Sequence, residues 1–159
     1  MAVDLSNIDI SDLAGKVIVP EGNYLLLPVK AEDKVSSKGS DMIAVTFEIV
    51  EGDYEGVKLT HYFTWASDWG KKFCKMYADA SDIDASLFGS DAIMTALPVI
   101  AKIEIEEGKP YINRDGDEMI GSDQNKINPF SWKSAKWYNT ALTMLFVWEW
   151  RNPLSRIGL

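Results

Sequence analysis

YLLLPVKAEDKVSSKGSDMIAVTFEIVEGDYEGVKLTHYFTW, residues 24 to 65, reads as three strands joined by two turns, and this stretch decides the fold. The first strand, Tyr24 to Asp33, leads through Ser36-Ser37-Lys38-Gly39 into a second, Met42 to Glu51. Gly52-Asp53-Tyr54-Glu55-Gly56 then turns the chain into a third, Val57 to Trp65. In the second strand Ile43, Val45, Phe47 and Ile49 alternate with Met42, Ala44, Thr46 and Glu48. That period of two gives a sheet one apolar face and one face of small and polar residues. The third strand puts Lys58, Thr60, Tyr62 and Thr64 on one face and Val57, Leu59, His61, Phe63 and Trp65 on the other. Aliphatic Val57 and Leu59 seek the core, which predicts that the Tyr62 face is the open one. A slip of one residue in register reverses the two faces and makes Phe63 and Trp65 the exposed rings instead. Pro28, inside the first strand, cannot donate to a ladder and predicts an edge segment, a bulge or a bend there. Bends of that kind let a sheet curl toward closure.

Working outward, residues 1–19 are polar and aperiodic and are expected to form an arm lying on the domain, with Pro20-Glu21-Gly22 turning the chain into the first strand. After Trp65 the period changes to 3.6. Ser67 or Asp68 can cap a helix from Trp69 to about Ala80. Trp69, Phe73, Met76, Tyr77 and Ala80 form one stripe of it, expected to pack in the core, and Lys71, Lys72 and Lys75 form a solvated face. Ser81 to Thr95 reads as a connector with short helical turns. Pro98 to Glu107 alternates as a fourth strand, Gly108-Lys109-Pro110 ends it, Asp115-Gly116 marks a two-residue hairpin turn, and a fifth strand is expected within Glu118 to Asn128. The order β-β-β-α-β-β is that of a mainly β, five-stranded oligonucleotide/oligosaccharide-binding (OB) barrel with its helix between strands three and four. The expected organisation is an arm (1–19), an OB-fold domain (20–129) and an extension (130–159).

Composition narrows the function classes. A chain of 159 residues, 47% hydrophobic and 25% charged, holds one globular domain with an appendage. No run reaches the roughly 18 apolar residues of a membrane helix, and Met1-Ala2-Val3-Asp4 lacks the basic and apolar regions of a secretory signal. Cys74 is the sole cysteine and His61 the sole histidine, which fits a reducing cytoplasm and provides no zinc set and no His-based triad. Asp79, Asp82, Asp84, Glu104, Glu106 and Glu107 fit helix ends and exposed strand faces, with no calcium-loop or two-metal pattern. The expectation is a protein without cofactor, metal or catalysis. The net charge of −8 lowers the case for nucleic acid, but charge is unevenly spread: Lys133, Lys136, Arg151 and Arg156 against Glu149 give 130–159 a balance of +3, leaving −11 for residues 1–129. The extension also holds Trp132, Trp137, Trp148 and Trp150 and an apolar run from Ala141 to Trp148. A partner surface, a helix folded back on the barrel and a self-association element giving a homo-oligomer all remain open for it.

Single strands of nucleic acid need rings for their bases and cations for their phosphates. Tyr62 provides a ring beside Thr60 and Lys58; Lys34 and Lys38 sit on the first loop, and Tyr111 and Arg114 on the loop after strand four. Taken singly these are ordinary surface residues. Their convergence on one face and two loops points to single-stranded nucleic acid, with the alternative stacking set Phe63 and Trp65 if the faces are reversed.

The chain also resembles a family of bacteriophage-encoded single-stranded-DNA-binding proteins with the OB fold. The likeness runs over roughly residues 18 to 129. It lies in Pro20-Glu21-Gly22-Asn23-Tyr24, Ser36 to Gly39 followed by Met42 to Gly52, Tyr54-Glu55-Gly56 and the strand through Trp65. The amphipathic helix, Leu87-Phe88-Gly89, and Gly108-Lys109-Pro110-Tyr111-Ile112-Asn113 complete it. The resemblance implies sequence-tolerant coating of single-stranded DNA, with RNA left open, during phage DNA replication or recombination in the host cytoplasm. Many such proteins end in an acidic tail that recruits replication or recombination partners. This chain ends Trp148-Glu149-Trp150-Arg151-Asn152-Pro153-Leu154-Ser155-Arg156-Ile157-Gly158-Leu159, so that role does not carry over. A reading from another class is the same barrel as a protein-binding adaptor or inhibitor whose acidic surface meets a basic partner.

Overall fold

The alternation of the opening stretch becomes three antiparallel strands: β1 (Gly22–Val35), β2 (Asp41–Ile49) and β3 (Lys58–Thr64) in a computed structural model that describes residues 2–7 and 17–135. The β1–β2 turn is closed by the Gly39 amide donating to Ser36 O at 2.9 Å, with Gly39 at φ +83°, a left-handed conformation that favours glycine. Across the sheet, Lys30 and Thr60 flank Thr46, Glu32 and Tyr62 flank Ala44, and Lys34 and Thr64 flank Met42. The β1–β2 register shifts between Pro28 and Lys30. β1 also pairs with the fourth strand, but only from Gly22 to Leu26. Pro28 therefore sits where a central strand leaves one neighbour and bulges against the other, a position at which its missing N–H breaks no ladder.

Helix α1 (Asp68–Ser81) is capped by Ser67, whose Oγ accepts from the Gly70 amide at 3.0 Å. Its buried face is Gly70, Cys74, Tyr77, Ala78, Ala80 and Ser81. This corrects the expected stripe at its N-terminal end, since Trp69 is 58% exposed and Phe73 is half-buried. The cause is a close crossing: a Cβ on Gly70 would lie 2.3 Å from the Thr64 carbonyl oxygen, so the helix approaches the end of β3 along its small residues. Cys74 Sγ donates to the same oxygen at 3.6 Å.

A 3₁₀ turn (Ala85–Leu87) and the short α2 (Ser90–Met94) lead to β4 (Val99–Glu106). A separate hairpin, β5 (Pro110–Ile112) and β6 (Glu118–Ile120), precedes β7 (Gln124–Ile127), and β8 (Lys133–Ser134) follows. The single fifth strand expected in Glu118–Asn128 is thus two strands, of which only β7 joins the main sheet. β7 and β8 both pair with β4, and the chain bulges out between them, where the Lys102 amide donates to Ser131 Oγ at 2.8 Å. The ladder order is β3-β2-β1-β4-β7. Among the described residues no ladder joins β3 to β7, although Cα atoms of the two come within 8 Å. The molecule is mainly β, with an antiparallel sheet and few helices, and its hydrogen-bonded sheet is open where a closed barrel was expected. β7 is only four residues long before the chain bulges away.

The core lies between the sheet and α1. Phe63 and Tyr77 stack at 4.9 Å between ring centroids, and Trp132 stands 4.9 Å from Tyr77 and 5.5 Å from Phe47. Trp132 and Val19 are both buried, so the body reaches past the expected boundaries at residues 20 and 129. Val19 is held by Asn125, whose Oδ1 accepts from the Val19 amide at 2.8 Å and whose Nδ2 donates to Val19 O at 2.9 Å. Trp137, Trp148, Trp150 and the run 141–148, with the alternatives open for them, lie outside the described residues.

Candidate nucleic-acid interface

Strand alternation sends Lys58, Thr60, Tyr62 and Thr64 outward, and the register adds Lys30, Glu32 and Lys34 from β1 to the same face. Tyr62 is 54% exposed. Its cross-strand neighbour is Ala44, whose methyl leaves the ring uncovered. Glu32 sits between two ammonium groups, 2.7 Å from Lys30 Nζ and 3.6 Å from Lys34 Nζ, and the hydrogen bond from Lys30 lowers its carboxyl below the usual range. Lys38 is exposed in the turn beyond Lys34. One ring, two threonines and the cations Lys58, at one end of β3, and Lys34, at the far end of β1, thus share a face with Glu32 and Glu48. Glu48 is directly across from Lys58, and Lys38 is exposed in the adjoining turn.

Phe63 is 1% exposed and Trp65 half-buried against the core, so the alternative stacking pair is not on the open face. His61 also points inward, edge-on to Phe63 at 4.7 Å and to Trp132 at 5.5 Å. Burial pushes its pKa down to about 4, which keeps the imidazole neutral.

Tyr111 and Arg114 lie on the β5–β6 hairpin, which forms its own two-stranded sheet. Its base is a backbone crossing that only glycine allows, a Cβ on Gly108 falling 1.5 Å from Gly121 O. Its loop has three residues, Arg114-Asp115-Gly116, rather than the expected two: the Asn113 amide donates to Asp117 O at 3.0 Å, and Asn113 Oδ1 accepts from the Asp115 and Asp117 amides, each at 2.9 Å. The Asn113 side chain caps the loop from within, which turn-dipeptide rules do not register. Tyr111 and Met119 pair on one hairpin face, Pro110 and Ile120 on the other, and all four are exposed.

A second exposed aromatic group escapes strand and helix periodicity. Phe130 projects from the bulge between β7 and β8, 60% exposed, and meets Phe73 at 4.8 Å and Trp69 at 5.9 Å. Lys72 Nζ lies 4.6 Å from the Trp69 ring centroid. The only trace of this group in the sequence is the surplus of aromatics in α1 over what a Gly70-Cys74 face can bury.

Set beside known protein families, residues 6–97 match the family described as protein of unknown function (DUF669), more than half of the chain. The chain belongs to the DUF669 family. The matched region of this DUF669 protein contains β1 to β3, α1 and α2, and therefore Lys34, Lys38, Lys58, Thr60 and Tyr62; Tyr111 and Arg114 lie beyond it. No curated protein matches the chain. Among the described residues, no helix is long and apolar enough to cross a membrane.

Proposed function

We propose that this chain is a non-enzymatic protein that binds single-stranded DNA with little sequence preference, across the outer face of β1, β2 and β3 of an OB-type barrel. The observation that carries the reading is the outward face itself: an uncovered tyrosine ring beside threonines, with Lys34, Lys38 and Lys58 around it. Bases stack on such a ring whatever their identity, and lysines take the phosphates. The barrel reading is supported by the ladder order β3-β2-β1-β4-β7, by a bent β1 shared between two neighbours, and by a helix between the third and fourth strands. The resemblance to phage single-stranded-DNA-binding proteins supports a place in phage DNA replication or recombination.

Fluorescence anisotropy of a labelled oligo-dT at two salt concentrations tests it. Binding at low salt that weakens at high salt is expected, and no binding at low salt overturns the reading. An oligo-rU of the same length settles the preference between DNA and RNA. The exposed apolar hairpin, together with the acidic balance of the chain, favours one second reading, a protein-binding adaptor or inhibitor. Equal indifference to single- and double-stranded DNA, with a co-purifying protein, decides for it.

A further inference from the structure

Past Thr64 the chain leaves the open face and enters α1, and at that junction lies a cavity of about 310 Å³. Its buried lining is Cys74 and Ala78, one turn apart on α1, and its half-buried lining is Trp65 and Phe88. At its exposed rim stand Lys71 and Lys75, again one turn apart, so both ammonium groups emerge on the same side. Lys75 also pairs with Asp79, which leaves the rim with a positive balance through Lys71. The Cys74 thiol in its lining is unreactive: burial pushes its pKa up to about 11, and it donates to Thr64 O. Small residues below, aromatic side chains in the lining and cations at the mouth describe a slot for a flat ring that carries an anion.

We propose that this cavity receives one nucleotide of a bound single strand, its base against Trp65 and Phe88 and its phosphate at Lys71 and Lys75. The proposal rests on the reading of the β3 face as the path of the strand. Tyr62 and Trp65 are three residues apart, about 10 Å along an extended chain, and of opposite parity, so a strand lying over Lys58, Thr60 and Tyr62 reaches the cavity by passing round the end of β3 at Thr64. Stacking alone is sequence-tolerant and leaves a strand free to slide; a slot at one end of the face fixes its register and polarity.

The test uses the full chain and dT oligonucleotides carrying a single 2-aminopurine at successive positions. In the wild type, one position near an end of the bound stretch is expected to be quenched more than its neighbours. Ala85 is a further exposed residue of the lining, and Ala85→Phe, which fills the cavity from that side, removes the extra quenching and weakens binding about 5- to 100-fold. Lys71→Ser, an exposed helix-surface change, weakens binding several-fold and lowers the slope of log affinity against log salt by about 0.7. It decides alone if Ala85→Phe does not fold. Binding that depends on Tyr62 but is unchanged by either rim substitution overturns the slot and leaves the sheet face standing, whereas no oligonucleotide binding by the wild type overturns both. Lys71-dependent capture of a short acidic, tryptophan-bearing peptide, with oligonucleotide affinity indifferent to Lys71, overturns the slot in favour of a protein ligand.

Discussion

Tyr62 and Phe63 are adjacent in sequence and opposite in fate. One ring is open to solvent and the other packs on Tyr77 at 4.9 Å. Tyr62→Ala is expected to lower oligo-dT affinity about 5- to 100-fold at an unchanged melting temperature, and Tyr62→Phe to retain it, because the ring and not the hydroxyl stacks. Phe63→Ala leaves a cavity in the aromatic core and should cost about 3–5 kcal/mol of stability in a urea melt. His61 ties stability to pH. Its folded pKa of about 4 lies below the ordinary 6.5, so the unfolded chain takes the proton more readily. The His61 contribution is present above about pH 6.5 and lost as pH falls toward 4, a difference of about 2–3 kcal/mol. Urea melts at pH 7 and pH 4.5 should show that difference between wild type and His61→Phe, the variant lacking this part of the acid sensitivity. Which of the two neighbouring rings is exposed was legible in the sequence, because alternation with Val57 and Leu59 polarises β3. That Trp65 and Phe88 line one cavity was not, since alternation along a strand says nothing of a residue 23 positions away.

At the scale of elements, the helix shows how far periodicity reaches. Trp69 and Phe73 and, one position on, Gly70 and Cys74 repeat at the same spacing, and hydrophobicity favours the aromatic pair. Close approach to the Thr64 carbonyl decides for the small one, since a Cβ at position 70 would fall 2.3 Å from its oxygen. Gly70→Ala should accordingly push the first turn of α1 off β3 and destabilise the fold by about 1–3 kcal/mol, measured by urea or thermal melting. The same substitution at a solvent-facing helical glycine would stabilise it. The tie between Asn125 and Val19 is equally invisible locally, for the two residues are 106 positions apart. Asn125→Leu removes both hydrogen bonds and leaves the Val19 amide and carbonyl unpaired, at an expected cost of about 1–3 kcal/mol. Hydrogen exchange at Val19 should rise with it.

At the scale of the molecule, an acidic chain of net charge −8 presents a face on which Lys30, Lys34 and Lys58 stand among Glu32 and Glu48. Three phosphate contacts on the sheet face, at Lys34, Lys38 and Lys58, contribute a slope of about −2 in log affinity against log salt for a single strand, roughly a fifteen-fold loss between 50 and 200 mM. To this, contacts at Lys71 and Lys75 add about −0.7 each. A slope near zero in an anisotropy titration would assign the lysines to solvent. The acidic remainder of the chain repels the strand at long range, so association should slow at low ionic strength relative to a lysine-rich binder of the same affinity.

From the sequence alone came the features that local physics enforces. These are three strands of period two, the turns between them, the Ser67 cap, the change to a helical period, and the polar face of β3. Backbone conformation and side-chain alternation answer to neighbours a few residues away, and those are written in order along the chain. The tertiary structure decided what depends on distant surfaces meeting. It set the rotation of α1, the bulge that turns Phe130 outward and returns Trp132 to the core, the anchoring of Val19, and the junction where Trp65 and Phe88 line one cavity. Those outcomes follow from close packing between segments far apart in sequence, and packing selects among faces that periodicity leaves equivalent.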